Sequence, residues 1–298
     1  MRVETIPIRI PMTGDRRYEA VVAVARGDGV TGLGEAPAAE AALAMARLDL
    51  EARERGIPLA ELLGGVRRRR VACTALIEDP QPAAVAESVE RLRGEGFTAF
   101  KLKAANGGGQ VDLERLGAAR WAAGPAAVLR LDLNARRAAN ALSTLGHLHM
   151  ELVEQPLPAD AAPEEWLRLA GASGVVLAAD ESLADRDLAC RLARQGTALA
   201  IKLARVGGPA AALALAAAAS GPVTIGSSYD TGIGIAAALH VACALPREPL
   251  ACGLATRRLL EADLVSGLPE GPALELQDAP GLGVELDWEA VNRYRVDR

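Results

Sequence analysis

Charged side chains end five consecutive apolar runs of the sequence, and their types could support acid–base chemistry. In the first run, Phe-Lys-Leu-Lys at residues 100–103, Lys101 and Lys103 alternate with apolar residues. Side chains of a β-strand alternate between its two faces, so both ammonium groups point the same way. The four later runs end in one charged residue each, namely Asp132, Glu154, Asp180 and Lys202. Three carboxylates between amines could hold a divalent cation.

The spacing of these charges indicates how the fold brings them together. From Lys103 to Lys202, successive charged residues are 22 to 29 positions apart, which fits one strand–helix unit per step. In a parallel (β/α)8 barrel, active-site residues lie at the carboxyl ends of the strands. The five charged ends are therefore predicted to form one ring at that end of a barrel.

The elements that must position this ring follow from the hydrophobic pattern after Val71. Short, nearly all-apolar runs predict strands over 71–77, 98–103, 128–133, 150–154, 175–179, 198–203, 223–226 and 250–254. Helical patterns between them predict helices over 82–93, 111–123, 136–146, 162–171, 185–194, 208–220, 231–244 and 256–263. Apolar strands alternating with helices are typical of a parallel sheet buried on both faces. We therefore predict an α/β fold built on a modified, TIM-like (β/α)8 barrel.

The segments that flank the barrel pattern predict a small α+β capping domain. Residues 1–35 alternate as an antiparallel meander, and helical spacing follows over 39–55. After Ser266 the barrel rhythm stops, and short strands and a helix over 288–294 are expected to rejoin the N-terminal segment. The predicted division is a shortened capping domain over 1–66, a catalytic barrel over 67–265 and a returning tail over 266–298.

Composition excludes several classes of protein. The formal net charge is −5, which gives no basis for binding nucleic acid or an anionic membrane surface. The four cysteines are scattered without Cys-x-x-Cys spacing and are typical of buried thiols in a reducing compartment. The longest apolar stretch, 210–220, is too short to cross a bilayer. We expect a cytoplasmic protein, and a homo-oligomer is compatible with the sequence.

Each charged residue also has a simpler interpretation. A lone acid after a strand is often the N-cap of the next helix, and a lone lysine there is often a solvated side chain. Caps alone would not explain lysines on both sides of three acids. Two other functions stay open: a binding protein on a decayed barrel, and a phosphate-binding barrel that uses Gly226-Ser-Ser and Gly232-x-Gly234.

The ordered motifs Lys-x-Lys, Asp-x-Asn, Glu-Gln-Pro, Ala-Asp-Glu-Ser and Lys-x-x-x-x-Gly-Gly resemble the enolase superfamily, in its muconate-lactonizing subgroup. The resemblance covers essentially the whole chain. It implies Mg²⁺, with Mn²⁺ as an alternative, held by Asp132, Glu154 and Asp180. It also implies that Lys103 and Lys202 form the acid–base pair and that Lys101 tunes Lys103. Asn134, which shares a strand face with Asp132, is expected to support the ligands or the substrate.

The last two strand ends bear on the reaction. Residues 226–234 and 249–256 resemble o-succinylbenzoate synthases of menaquinone biosynthesis, in which Ser227 and Ser228 would anchor the substrate. That resemblance implies a lyase whose partner is a small carboxylate substrate, which it dehydrates after proton abstraction. The alternative is a dipeptide (Ala-Glu type) epimerase or N-succinylamino acid racemase of the same subgroup. Cys252-Gly-Leu254 lacks the acids that such epimerases use to hold an ammonium group, so the synthase is favoured.

Overall fold

The structure is a computed structural model that describes residues 1–27, 29–104, 111–136, 142, 145 and 147–296. The helix predicted over 136–146 lies almost wholly outside the described residues. No helix in these ranges has the length and apolar character needed to span a bilayer.

The N-terminal residues form the predicted antiparallel meander. Its strands pair in the order β1 (Arg2–Pro11), β2 (Arg17–Arg26) and β3 (Thr31–Ala36). Helix α1 (Ala39–Glu54) and the short helix α2 (Leu59–Leu62) follow. Helix α1 packs directly on β3, because Gly32 and Gly34 have no side chains to hold the two backbones apart.

Seven parallel strands form one curved sheet in which neighbours in sequence are neighbours in space. They are β5 (Thr74–Ile77), β6 (Ala99–Lys103), β7 (Val128–Asp132), β8 (Met150–Glu154), β9 (Leu177–Ala179), β10 (Ala198–Lys202) and β11 (Val223–Gly226). A short strand, β4 (Arg70–Ala72), precedes them, so the predicted strand over 71–77 is interrupted at Cys73.

Helices follow most of the strands, largely as predicted. They are α3 (Pro82–Gly94), α4 (Leu113–Ala123), α5 (Pro163–Ser173), α6 (Arg186–Gln195), α7 (Leu203–Val206), α8 (Pro209–Ala218) and α9 (Gly232–Ala244). Two short elements were not predicted: α7, and a 3-10 turn over Glu181–Ala184. Every residue of α9 is buried, so other parts of the chain cover this helix on all sides.

The eighth strand, predicted over 250–254, is not a regular strand. This segment makes single parallel bridges on both sides, Cys252 with Cys73 and Gly253 with Gly226. The N–H of Cys252 donates to the Ala72 carbonyl at 2.7 Å, and that of Gly253 donates to Ile225 at 2.8 Å. The segment therefore closes the curved sheet, and the α/β fold with a modified TIM-like barrel is confirmed.

The prediction of a helix over 256–263 is also wrong, because only a 3-10 turn, Arg257–Leu259, forms there. The chain leaves this turn to pair Leu260 with Met12 of the N-terminal segment. A tertiary contact thus overrides the local helical pattern.

The C-terminal residues form β12 (Val265–Ser266), β13 (Ala273–Glu275), β14 (Glu285–Leu286) and helix α10 (Trp288–Tyr294). Strand β13 pairs with β4, and β14 pairs with β12. Beyond α10, the N–H of Val296 donates to the Pro7 carbonyl of β1 at 2.9 Å. The division into residues 1–66, 67–265 and 266–298 stays a prediction.

Candidate active site

Neighbouring strands of the barrel sheet bring the predicted charged residues together. Lys103 of β6 lies opposite Asp132 of β7 in the parallel register, and Asp132 lies opposite Glu154 of β8. Asp180 directly follows β9, and Lys202 ends β10. All of the charged strand ends named by the sequence therefore lie at one end of the barrel, where the register fixes their order.

Cations and carboxylates alternate around this end in a series that we call the charge ring: Lys103, Asp132, Lys101, Glu154, Lys202, Asp180 and Arg205. Lys103 Nζ lies 2.7 Å from Asp132 Oδ2. Lys101 Nζ lies 2.9 Å from Glu154 and 3.5 Å from Asp132. Lys202 Nζ lies 2.7 Å from Asp180 and 3.9 Å from Glu154. Each carboxylate therefore has a cation on either side.

The three carboxylates of the charge ring are almost completely buried, with at most 1 % of each residue exposed. Burial alone raises the pKa of Asp132, but the surrounding ammonium groups outweigh it and hold that pKa well below its usual range. Asp132 is therefore a carboxylate at neutral pH. A buried carboxylate that stays ionised is suited to bind cations.

The donor set fits a hard divalent cation. Asp132, Glu154 and Asp180 offer only carboxylate oxygens, the ligands that Mg²⁺ prefers. In the described part of the chain, no three acidic, His or Cys side chains already surround a common point. The reason lies in the charge ring, where lysine and arginine donors hold the carboxylate oxygens. A cation would replace some of these contacts.

Asn134 supports both members of the first pair of the ring. Its backbone N–H donates to Asp132 Oδ1 at 3.0 Å, and its side-chain oxygen accepts from Lys103 Nζ at 3.2 Å. Its φ of 48° lies in the left-handed region, which Asn tolerates better than most residues. The sequence placed Asn134 near Asp132, and the structure adds its contact with Lys103.

Ser227 and Ser228 lie beyond β11 and line the same pocket as the three lysines. The Ser227 hydroxyl is used internally: it accepts from the Asp230 N–H at 3.0 Å and lies 2.8 Å from the Thr256 hydroxyl. The Ser228 N–H donates to Asp230 Oδ2 at 3.3 Å. The two serines are thus not equivalent, and the contacts of Ser227 favour a role in shaping the loop.

Sequence reasoning missed two residues that organise the carboxylates. Arg205 forms an ion pair with Asp180. Buried Gln155 accepts the N–H groups of Asp180 and Ser182, at 2.8 and 3.2 Å. The Glu-Gln-Pro motif contained a signal for Gln155, whereas Arg205 became visible only once the short helix α7 placed it near the ring.

A second cluster stands at the mouth of the pocket. Arg16, from the turn between β1 and β2, forms a bidentate ion pair with Glu78, with hydrogen bonds of 2.7 and 2.9 Å. The Tyr229 hydroxyl also donates to Glu78, at 2.9 Å, and the Arg16 guanidinium lies 5.2 Å from the Tyr229 ring centre. This cluster ties the N-terminal meander to the rim of the barrel.

All of the lysines in the sequence lie in this one pocket. Lys101, Lys103 and Lys202 are the only lysines among the 33 basic residues of the chain, and the rest are arginines. All three line one pocket. Unlike arginine, lysine can lose its proton in a suitable environment, so these side chains could take up and release a proton in the pocket.

A barrel with carboxylates and lysines at its strand ends defines a class of enzymes, and comparison with known proteins agrees. The sequence pattern of the "Enolase C-terminal domain-like" family matches residues 84–291. The chain belongs to this family, within the muconate-lactonizing subgroup of the enolase superfamily.

Two curated relatives and one solved structure illustrate the likeness. An o-succinylbenzoate synthase of Thermobifida fusca is 36 % identical over 192 residues, covering 61 % of this chain and 60 % of the synthase. A chloromuconate cycloisomerase of Pseudomonas putida is 34 % identical over 271 residues, covering 86 % of this chain and 72 % of that protein. The structure of the muconate lactonizing enzyme from Pseudomonas putida shares the fold, with a TM-score of 0.88, 24 % identity and 99 % of each chain covered.

Proposed function

We propose that the chain is a Mg²⁺-dependent enzyme that removes the proton α to a carboxylate and so forms an enediolate. The observation that carries the proposal is the restriction of lysine to the pocket, in a chain that is otherwise rich in arginine. Arginine stays protonated at any pH near neutrality, whereas lysine can act as a base. A site that needed positive charge alone would be served as well by arginine.

Asp132, Glu154 and Asp180 would hold the cation through their carboxylate oxygens. Bound there, Mg²⁺ would place positive charge next to the enediolate oxygens. The burial of the three acids supports this assignment, since buried carboxylates gain most from a cation that replaces lost water.

Lys103 and Lys202 would face the substrate from opposite sides, because β6 and β10 lie on either side of the three acid-bearing strands. Lys103 Nζ, oriented by Asp132 and Asn134, would take the α-proton. Lys202 would remain a cation beside the intermediate, and Lys101 would keep the neighbourhood of Lys103 positive.

As the finer proposal, the substrate is the cyclohexadiene carboxylate that yields o-succinylbenzoate in menaquinone biosynthesis. Lys103 removes the α-proton, the bond to the departing hydroxyl breaks, and Lys103 returns the proton so that water leaves. The 36 % identity to an o-succinylbenzoate synthase supports this choice. Gly253 and Thr256 line the pocket at the eighth strand position, and neither could neutralise the ammonium group of a dipeptide.

A cycloisomerase acting on muconate or chloromuconate is the second candidate. It is favoured by relatives of that name, which match 86 % of the chain. Both candidate reactions need the same proton-transferring lysines. Only the substrate that the protein turns over can therefore distinguish them.

The test is to offer the purified protein, with Mg²⁺ in deuterated buffer, four substrates in parallel and to follow each by NMR. They are the cyclohexadiene precursor, cis,cis-muconate, an N-succinylamino acid and the dipeptide Ala-Glu. We expect rapid dehydration of the first and at least a thousand-fold slower reaction in Lys103→Ala. The exposed Arg91→Ala serves as the control and should react like the wild type. Reaction of muconate alone would assign a cycloisomerase, and reaction of the dipeptide alone would assign an epimerase. Full activity of Lys103→Ala would contradict the mechanism.

A further inference from the structure

Glu181 carries a buried acceptor that nothing in the charge ring uses. It directly follows Asp180 and lines the pocket that holds the three lysines. Its Oε2 atom is buried without a hydrogen-bond partner among the described residues. The other atoms with this property belong to two arginines and a tryptophan, so within the described ranges Glu181 is the only such carboxylate.

An unpaired carboxylate oxygen in such a place is costly, because burial removes its water without replacing it. The two cations beside Asp180 are already engaged, whereas Arg130 of the same pocket is tied to Glu151 and keeps one buried nitrogen, Nη2, without a partner. Lys202 lies against Asp180 and Glu154, and Arg205 lies against Asp180. No described group donates a hydrogen bond to this oxygen, so a bound cation would satisfy it.

The backbone around Glu181 is held in place. The side-chain oxygen of Gln155 accepts from the N–H groups of Asp180 and Ser182, the residues on either side of Glu181. Gln155 Nε2 donates to the Ser182 hydroxyl at 2.8 Å. This arrangement fixes the turn that holds Asp180 against Lys202 and Arg205 and places Glu181 in the pocket lining, before any ligand binds.

We propose that Glu181 supplies a further anionic oxygen to the divalent cation, in addition to Asp132, Glu154 and Asp180. This inference rests on the proposed function, because it assumes that the three buried acids hold such a cation. With Glu181, the four cations of the charge ring, Lys101, Lys103, Lys202 and Arg205, would be matched by four carboxylates. The charge of Mg²⁺ is then left to balance the anionic substrate.

The test measures Mg²⁺ affinity directly, without turnover. Wild type, Glu181→Gln and Asp187→Asn are titrated with Mg²⁺ by calorimetry, and with Mn²⁺ by electron paramagnetic resonance. Asp187 is an exposed acid in the same segment and controls for general loss of negative charge. We expect Glu181→Gln to weaken binding of both ions by about ten-fold or more, and Asp187→Asn to leave it unchanged.

Stability separates this role from a purely structural one. In EDTA, Glu181→Gln should melt at the same temperature as the wild type or higher, because the variant removes an unpaired buried charge. With Mg²⁺ added, its melting temperature should rise less than that of the wild type. A clear loss of stability in EDTA would instead assign Glu181 a structural role and overturn the inference.

The outcomes also distinguish the role of Glu181 from the proposed function. Wild-type affinity in Glu181→Gln would overturn the role of Glu181 while leaving the cation site intact. Absence of Mg²⁺ binding by the wild type would overturn the proposed function itself. Selective isotope labelling of lysine gives one signal from each pocket amine, since the chain has only three lysines. These signals should shift at higher Mg²⁺ concentration in Glu181→Gln, from unchanged starting positions.

Discussion

At the scale of single residues, the site is an alternating set of charges rather than a cluster of acids. Lys101 bridges Asp132 and Glu154, and Lys202 bridges Glu154 and Asp180. Buried ion pairs of this kind are weak evidence for stability, because desolvation offsets their attraction. These ion pairs instead position the lysines, since each lysine is held against the carboxylates that the chemistry would use.

The two pocket serines should respond differently to loss of the hydroxyl. Ser227→Ala removes the acceptor of the Asp230 N–H and the partner of Thr256, so it should lower the free energy of unfolding by about 1–2 kcal/mol. Ser228→Ala should change stability by less than about 0.5 kcal/mol and act mainly on KM. Chemical denaturation and steady-state kinetics of both variants check this. Equal stability losses would contradict the distinction.

The identities of the charged residues were predictable from sequence, but their partners were not. Lys103, Asp132, Glu154 and Lys202 end apolar runs, and strand ends can be recognised locally. The contact of Arg205 with Asp180 depends on a short helix that no periodicity indicated. Likewise, the orphan oxygen of Glu181 is a property of packing that the sequence does not reveal.

At the scale of elements, close packing of β3 on α1 depends on two glycines. A methyl group at Gly34 would collide with the Ala42 carbonyl oxygen, and one at Gly32 would collide with the Ala46 carbonyl oxygen. Both obstacles are backbone atoms, which cannot rotate away. The strand and the helix therefore approach as closely as their backbones allow.

Gly34→Ala should destabilise the protein, since the new methyl group forces β3 and α1 apart. We expect a loss of about 1–3 kcal/mol in the free energy of unfolding. Gly117→Ala is the matched control, because Gly117 lies within α4 and a Cβ there meets nothing within 4 Å. This control should gain up to about 1 kcal/mol. Urea unfolding measures the free energy of unfolding of the two variants. A change of the same sign and size in both would contradict the prediction.

The elements themselves were largely predictable, and the exceptions have a common cause. Strands β6 to β11 are mostly buried, helices α3 to α6 each bury one face, and clear signals bound both kinds of element. Residues 250–254 failed as a strand because they close the barrel between two partners through single bridges. The hydrophobic periodicity of a segment reports only on that segment. Closure of the barrel depends on the strands that lie on both sides of it.

At the scale of the whole molecule, buried polar groups connect distant parts of the chain. Glu35, at the end of the meander, accepts from the N–H groups of Thr231 and Gly234 at the start of α9. Burial, and the nearby Asp230 carboxylate, raise the pKa of Glu35 to about 7. His240, farther along α9, accepts the Ala60 N–H of α2 at 3.0 Å. Helix α9 thus joins the N-terminal segments to the barrel.

His240 should make the stability of the whole fold depend on pH. Burial lowers its pKa from 6.5 to about 4, although a hydrogen bond with the Leu282 backbone opposes the shift. Above pH 6.5 both folded and unfolded chains carry a neutral imidazole, and the contribution to stability is complete. As the pH falls from 6.5 toward 4, the unfolded chain takes up the proton first, so this stability is lost.

The expected loss from His240 is about 2 kcal/mol between pH 7 and pH 5. Glu35 acts in the opposite direction, because its raised pKa contributes stability at low pH that is lost as the pH rises toward 7. The wild-type profile alone therefore cannot isolate the histidine. His240→Asn keeps an acceptor for the Ala60 N–H and removes the titration, so its stability should fall less on acidification than that of the wild type. Urea unfolding of both proteins at pH 7 and pH 5 gives the comparison. Equal losses in the two proteins would show that the imidazole does not titrate as its burial requires.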